Sequence, residues 1–198
     1  MTRSNVLRAA LFLSVLGQIS LWGCGLFKPR NPEPGGGVPS DCLTANTPDN
    51  VVTNVLAHYA AVNGITCYTS MLDSSFAFHP DPTDSIEALP GIFSGWNRNV
   101  ETNDVSNIAS DATFHAAFFD SQYAVQVLSS DQRTLTRFYA YHLIVRSSKP
   151  DTLYQGRADI TFFQSSNAVW HVTEWVDHRD ASGLRTWGYL RSLYRFGF

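Results

Sequence analysis

The sequence lacks the short motifs through which many enzymes hold metals, nucleotides or acyl groups. Its six histidines never stand four residues before another histidine or a glutamate, and no two cysteines are separated by two residues. Such spacings let neighbouring side chains share a zinc ion. A glycine-rich phosphate loop and a Gly-x-Ser-x-Gly elbow are absent as well. We therefore expect no metal site and no cofactor.

Charge is scarce too. Charged residues make up 16% of the 198 residues, and the formal net charge is −3. A nucleic-acid-binding domain usually carries a concentrated positive surface, so no nucleic-acid partner is expected. Hydrophobic residues, in contrast, reach 44% and aromatic residues 13%. This composition is sufficient for the packed core of one domain with a short appendage.

The amino terminus has the composition of a signal peptide. Arg3 and Arg8 precede an apolar stretch over residues 9–22, which ends at Leu21-Trp22-Gly23-Cys24. These last four residues resemble the bacterial lipoprotein signal. The resemblance implies removal of residues 1–23 and acylation of Cys24 with fatty acids such as palmitate, which would attach the chain to a membrane. An ordinary cleaved secretory signal and an uncleaved anchor are the alternatives.

The residue after the cysteine bears on the location. Gly25 stands where enterobacterial lipoproteins kept at the inner membrane have aspartate. The resemblance therefore implies a lipoprotein of the bacterial cell envelope, on the outer membrane, facing the periplasm or the exterior. Residues 24–46 are rich in proline and glycine and are predicted to form an extended tether. Cys42 and Cys67 are predicted to form a disulfide, since an oxidising compartment preserves one; two buried free thiols are the alternative.

The clearest strand signals lie in residues 153–164 and 168–177. Apolar and polar residues alternate in both segments, and Ser165-Ser166-Asn167 separates them, so we expect an antiparallel pair at the centre of a sheet. Large apolar residues occur on both parities, as Trp170 and Trp175 show. Either both faces of this pair are partly covered, or a bulge shifts the parity near Thr173.

Helices are expected before these strands. Thr47-Pro48 and the apolar spacing that follows predict a helix over residues 48–63. A second helix is expected from Ile65, a short strand around Phe76, a loop over residues 80–90 and a helix over residues 96–109. Further strands are predicted over 112–119, 123–128 and 135–145, with a turn or bulge at Asp120-Ser121. This order is an α+β pattern in which a curved antiparallel sheet wraps around N-terminal helices.

The order of elements, with the aromatic strand that ends in Trp170-x-Val172-x-x-Trp175-x-Asp177 and with Thr186-Trp187-Gly188 beyond it, resembles the NTF2-like superfamily. This superfamily is also described as SnoaL-like or as the cystatin-like cone. The resemblance covers residues 48–194 and implies an NTF2-like domain over residues 47–198, with a cavity between the helices and the concave sheet. Members of the superfamily include isomerases and dehydratases, so the fold predicts a pocket and not a reaction.

An isomerase of this fold would need a carboxylate base and a hydrogen-bond donor that converge in an apolar cavity. Glu174, Asp159 and Asp177 are candidates for the base. Glu174 is the best of them, because it shares the parity of Trp170 and Val172 unless a bulge intervenes. Tyr139 and Tyr141 are candidates for the donor. The alternative for Glu174 is an ion pair with Arg157 or Arg185.

Two further points enter the catalytic argument. His142 stands among apolar residues, points inward in this hypothesis and would serve a dehydratase, although a buried, satisfied histidine is the commoner case. Asp177 is expected to be solvated or salt-bridged at a strand end.

None of the catalytic candidates has a spacing that only catalysis would require. Trp96 and Trp175 are candidates for a ligand pocket or for the core. The sequence therefore favours a non-catalytic envelope protein that binds a small apolar ligand or a protein partner, with a homodimer left open. An isomerase or dehydratase that uses a pocket carboxylate or histidine is the alternative.

Overall fold

The computed structural model describes residues 42–150 and 152–197. The predicted signal peptide, the lipid site Cys24 and most of the predicted tether lie outside these residues. The helices within them are α1 Pro48–His58, α2 Ile65–Ser70, α3 Pro82–Glu87, α4 Arg98–Asp111 and α5 Trp187–Tyr194. The strands are β1 Leu72–His79, β2 Phe114–Val127, β3 Thr134–Arg146, β4 Leu153–Gln164 and β5 Trp170–His178. In this part of the chain, every helix is too short or too polar to cross a membrane.

The five strands form one curved sheet in the order β1-β5-β4-β3-β2. The α+β class is confirmed, but the prediction of a wholly antiparallel sheet is wrong, because β1 pairs with β5 in parallel. About 90 residues separate these two strands in the chain. Only a tight hairpin requires an antiparallel pair, so this long connection leaves the direction of β1 free.

The two faces of the sheet differ in burial. The inner face carries buried residues such as Tyr139, Tyr141 and Leu143 from β3, and it packs against α1. The outer face carries partly exposed residues such as His142 and Ile144. Alternation along a strand places successive side chains on opposite faces.

A bulge in β5 decides which side chains enter the cone. Thr161 of β4 pairs with Glu174, but the next residue, Phe162, pairs with Val172, so Thr173 is the extra residue. The bulge predicted near Thr173 is therefore present. Because side chains alternate with a period of two, one extra residue exchanges the faces for everything beyond it. Trp175 consequently points inward like Val172, and Glu174 points outward.

Two helix boundaries differ from the prediction. Helix α1 starts as expected, with the Thr47 hydroxyl accepting from the N–H of Asn50 at 3.2 Å. It ends at His58 rather than at residue 63, because Ala60 adopts the left-handed conformation with φ 55°. The predicted loop over residues 80–90 contains α3, which Asp81 caps by accepting from Thr83 N–H at 2.7 Å. Aspartate before proline is itself a helix-start signal that the sequence prediction missed.

The two strands predicted over residues 112–119 and 123–128 are one strand, β2. Its register with β3 shifts between Phe119 and Ser121 and again between Gln122 and Ala124. Asp120-Ser121 is thus a bulge and not a turn. The helix predicted over residues 96–109 is α4, and Asn97 caps it by accepting from two backbone N–H groups at 3.0 and 3.2 Å. The prediction for residues 153–164 matches β4.

The predicted disulfide is present: Cys42 and Cys67 are bonded, with their Cα atoms 5.6 Å apart. It joins the first described residue to α2. Asn54 holds the same segment, because its side-chain amide donates to Leu43 O at 2.8 Å and accepts from Leu43 N–H at 2.9 Å. The chain therefore enters the domain through a covalent bond and a buried amide.

We expect the Cys42→Ser/Cys67→Ser variant to lose about 3 kcal/mol of unfolding free energy, since the disulfide closes a loop of 25 residues. Urea unfolding of the oxidised protein and the variant measures this loss. The reduced wild type is the control and should unfold with the variant. Equal unfolding midpoints for oxidised protein and variant would contradict the prediction.

Candidate functional site

The interior of the cone is packed with aromatic rings. Trp175 and Trp187 meet edge to face with centroids 4.9 Å apart, and Tyr59 lies 4.6 Å from Trp187. Tyr141 lies 5.5 Å from the same indole, and all four rings are fully buried. Edge-to-face pairs at these distances are typical of a well-packed core. Among the described residues, the part of the cone interior around Trp175 and Trp187 is therefore closely packed.

A buried ion pair lies beside these rings. Arg191 of α5 donates through Nε and Nη2 to Glu101 of α4 at 2.9–3.1 Å, and both side chains are fully buried. Tyr68 and the Trp96 indole N–H also donate to this carboxylate, at 2.6 and 2.7 Å. The Arg191 guanidinium lies 4.6 Å above the Trp175 ring. Four donors and aromatic faces thus compensate charges that burial alone would disfavour.

A second buried carboxylate holds the start of α5. Asp177, predicted to be solvated or salt-bridged, is fully buried, because the bulge turns it inward. It accepts from the Tyr141 hydroxyl at 2.6 Å and from Gly188 N–H at 2.6 Å, and Tyr141 in turn accepts from Trp187 N–H at 2.8 Å. Burial raises the pKa of Asp177 to about 6.

Gly188 is needed at this contact. A Cβ atom there would lie 3.0 Å from the Asp177 carboxylate and 3.1 Å from Phe78. A carboxylate at a helix N-terminus satisfies free N–H groups and complements the helix dipole. Both oxygens of Asp177 are engaged by the fold, so the Asp177–Tyr141 pair is a helix cap rather than an available acid–base pair.

Glu174 does not enter the cone, which is the outcome expected of this candidate base if a bulge intervened. It lies on the outer face with 46% of its side chain exposed, and its Oε1 is 3.2 Å from His79 Nε2. Thr161 also approaches it, at 3.5 Å. The cause is the one-residue bulge at Thr173. The ion pair with Arg157 or Arg185 that was the alternative is replaced by this contact with His79.

His142 also lies on the outer face, contrary to the inward orientation that a dehydratase role would need. Its Nδ1 is 2.7 Å from Asp120 Oδ1, and its ring stacks on Phe118 with centroids 4.6 Å apart. Position 142 has the parity opposite to the buried Tyr141 and Leu143. The apolar sequence around His142 thus belongs to a strand whose two faces are both partly covered.

Tyr139 lies on the inner face, towards the Thr134 end of β3. Its ring stacks on Phe119 with centroids 4.3 Å apart, and its hydroxyl accepts from Arg137 at 3.4 Å. Arg137 also forms an ion pair with Asp49 at 2.5 Å, which joins the sheet to α1. An apolar cleft at this end is too narrow to admit a water molecule; its lining residues are Val52, Val55, Phe119, Ile160, Phe162, Val172 and Trp175.

The two tryptophans predicted for a ligand pocket line different depressions in the described part of the protein. Trp175 lines the narrow cleft beside Phe119, whereas Trp96 lines a groove beside the edge strand β1. Trp96 is 3% exposed and its indole N–H is bound to Glu101. Of the catalytic candidates Glu174, His142, Tyr139 and Tyr141, only the two tyrosines lie on the inner face. Within residues 42–150 and 152–197, three metal-ligating side chains do not come together anywhere.

The residue that sequence reasoning missed is Asp104. It is fully buried, and neither carboxylate oxygen has a hydrogen-bond partner in the described part of the protein. Burial, with Glu101 nearby, raises its pKa well above the usual value. The sequence does contain a signal for this burial. Glu101 and Asp104 stand three residues apart on α4, and their spacing to the buried Val105 and Ile108 places all four on one side of the helix.

Solved structures with the same arrangement of elements exist. A protein from Novosphingobium aromaticivorans, provisionally assigned as a scytalone dehydratase, matches with a TM-score of 0.53 and 9% identity over 71% of this chain and 90% of that chain. Another from the same organism, provisionally assigned as an aromatic ring hydroxylase, matches with a TM-score of 0.50 and 13% identity over 66% and 85%.

An NTF2-like superfamily protein from Salmonella enterica matches with a TM-score of 0.49 and 11% identity over 67% of this chain and 89% of that chain. No family model and no curated protein matches the sequence. At these identities the likeness shows the fold alone.

We expect Asp104→Asn to stabilise the protein at neutral pH. Because the pKa of Asp104 is raised in the folded protein, this carboxyl loses its proton at a lower pH in the unfolded chain than in the folded one. The unfolding free energy of the wild type is therefore highest below about pH 4 and falls as the pH rises. Asparagine cannot ionise, so the variant does not lose stability in this way. The difference in unfolding free energy between Asp104→Asn and wild type should therefore grow from pH 4 upward. Urea unfolding between pH 4 and pH 8 measures it.

Asp111→Asn on the same helix is the matched control. The Tyr194 hydroxyl donates to Asp111 and lowers the pKa of that carboxyl. The ionised carboxyl therefore stabilises the folded protein, and Asp111→Asn should become less stable relative to wild type as the pH rises. A stability difference between Asp104→Asn and wild type that stays constant with pH would show that Asp104 is not held neutral by burial.

Proposed function

We propose that this chain, which has the NTF2-like fold, is a lipid-anchored protein of the bacterial envelope that associates with protein through the outer face of its sheet. One contrast carries the proposal. The inner face is packed with rings and engaged carboxylates, whereas the outer face leaves large apolar side chains in solvent. This contrast favours recognition on the outside of the cone over recognition inside it.

Three exposed apolar residues of the outer face lie close together at one end of the sheet. Phe114, Phe118 and Leu153 are 45%, 44% and 42% exposed. The ladder places Ala116 opposite Ile144, and Ile144 opposite Leu153. We call these five residues the apolar corner. Contiguous exposed apolar surface is typical of a protein interaction site, whereas isolated residues are not.

A second copy of the chain is the partner that this surface fits best. The outer face carries charges of both signs: Asp120 and Arg146 lie beside the apolar corner, and Arg157 and Asp159 lie further along β4. In a two-fold interface the same patch meets itself, so it must carry both partners of every ion pair. A patch with an apolar end and mixed charges meets that requirement.

The lipid anchor would strengthen such an interface. Residues 25–41 lie between the predicted lipid site and Cys42, and 17 extended residues reach at most about 60 Å. Two anchored copies would remain within a short distance of the same membrane surface. Confinement raises effective concentration, so a weak interface can be occupied without new contacts.

Acid–base catalysis inside the cone is the second candidate, and Asp104 is the observation that favours it. A carboxyl kept neutral by an apolar site is a device of isomerases. Two neighbours in fold are provisionally assigned as a dehydratase and a hydroxylase. We rank this candidate second because Glu174 and His142 lie outside the cone and Asp177 is engaged as a helix cap.

For the anchor, we expect the mature chain to begin at Cys24 and to carry thioether-linked diacylglycerol with an acylated amino group. Mass spectrometry of the protein extracted from bacterial membranes measures this. The Cys42→Ser variant is the control and should carry the same lipid. A mature terminus at another residue, or a Cys24 without lipid, would contradict the anchor.

For the association, we expect Phe118→Ser to weaken self-association at least tenfold, which is the usual effect of truncating a central aromatic contact. Sedimentation equilibrium of the full chain in density-matched detergent measures it. Ile86→Ser is the matched control, because Ile86 is 82% exposed on α3, away from the sheet. A wild type that stays monomeric, or two variants with equal effects, would contradict an interface on the outer face.

A further inference from the structure

Four of the six histidines lie on the outer face, namely His79, His142, His171 and His178. Three of them, all except His171, contact a carboxylate from a neighbouring strand. His79 of β1 is 3.2 Å from Glu174 of β5, His142 of β3 is 2.7 Å from Asp120 of β2, and His178 of β5 is 2.9 Å from Asp159 of β4. The histidine side chains are between 33% and 54% exposed. Every contact in the set is thus open to solvent in the monomer and can become buried on docking.

Two of the three pairs form one patch. In the ladder, Val176 lies opposite Asp159 on one side and opposite His79 on the other. Glu174 and His178 flank Val176 along β5. These four titratable side chains therefore surround a single apolar residue.

The third pair lies at the apolar corner. His142 stacks on Phe118, and Gln155 stands opposite His142 in the ladder. The three pairs thus extend across the surface proposed for association, from its apolar end to the β1 edge.

The other charged groups near the histidines are few. Arg157 lies opposite His178 in the ladder, and Asp180 accepts from Gln155 at 2.8 Å. Arg146 lies at the end of β3, and Arg179 is engaged by Asp84 and Glu87. Each of the three paired histidines therefore has one carboxylate as its direct partner.

We infer that the outer face is a pH-responsive interface, and that two copies of the chain associate more tightly when His79, His142 and His178 are protonated. The inference rests on the proposed function, because it describes the regulation of the same surface. The reason is the charge that docking would bury. With a neutral histidine, each pair carries one uncompensated negative charge; with a protonated histidine, the pair is neutral overall.

Burying an uncompensated carboxylate costs more than burying a neutral ion pair. Association must therefore take up protons, and by linkage a falling pH strengthens it. The histidine charge changes between about pH 8 and pH 5. Three pairs in each copy can contribute to the same equilibrium, so the response is steeper than one pair would give.

The test is sedimentation equilibrium of the full chain in density-matched detergent at pH 8 and pH 6. We expect the dimer dissociation constant of the wild type to fall about tenfold or more between these values, and the His79→Gln/His142→Gln/His178→Gln variant to show no change. His115→Gln is the control and should behave as wild type, because His115 pairs with the inner-face Val145, away from the proposed interface, and burial lowers its pKa.

A second variant keeps the inference testable if the glutamine variant folds poorly. Asp120→Asn/Asp159→Asn/Glu174→Gln removes the buried charge directly, so it should associate with equal affinity at both pH values. A wild-type dimer of equal affinity at pH 8 and pH 6 would overturn the inference and leave the proposed interface in place. A chain that is monomeric at both values would overturn the proposed interface itself.

Discussion

The ion pair between Arg191 and Glu101 is the contact on which the rest of the interior depends. It joins the C-terminal helix to α4, and its carboxylate also gathers donors from Tyr68 and Trp96. With both charges fully buried, loss of one partner would leave the other uncompensated, at a cost of about 3–5 kcal/mol. The position of α5, and with it the rings of the cone interior, is therefore fixed from one end by charge.

The other end of α5 is fixed by a second carboxylate, Asp177, which caps the helix and accepts from Tyr141. The two ends together explain why polar groups in the cone do not form an open site. Their hydrogen bonds are made to the helix that closes the interior, and the strength of those bonds comes from the low dielectric that closure creates. Asp104 is the exception, because its carboxyl adds no bond to this arrangement and burial raises its pKa well above the usual value.

Local patterns predicted most of the elements, and long-range pairing decided the rest. The alternation in residues 153–164 matches β4, and the parity conflict in the next strand indicated the bulge at Thr173. That single inserted residue also explains the positions of Glu174 and Asp177, because it moves Glu174 outward and Asp177 inward. The burial of Arg191 and the parallel pairing of β1 depend on residues about 90 positions away, so no local window contained them.

The proposed association follows from the same division between the faces. A cone whose interior is occupied by its own helix leaves the outer face as the surface that can still change partners. Histidine–carboxylate pairs suit such a surface, because they are polar enough to keep the monomer soluble and lose their net charge when protonated. The apolar corner supplies contact area, while the paired groups decide at which pH that area is buried. A lipid anchor would hold two such faces near one membrane, where a modest change in affinity is sufficient to move the population from monomer to dimer.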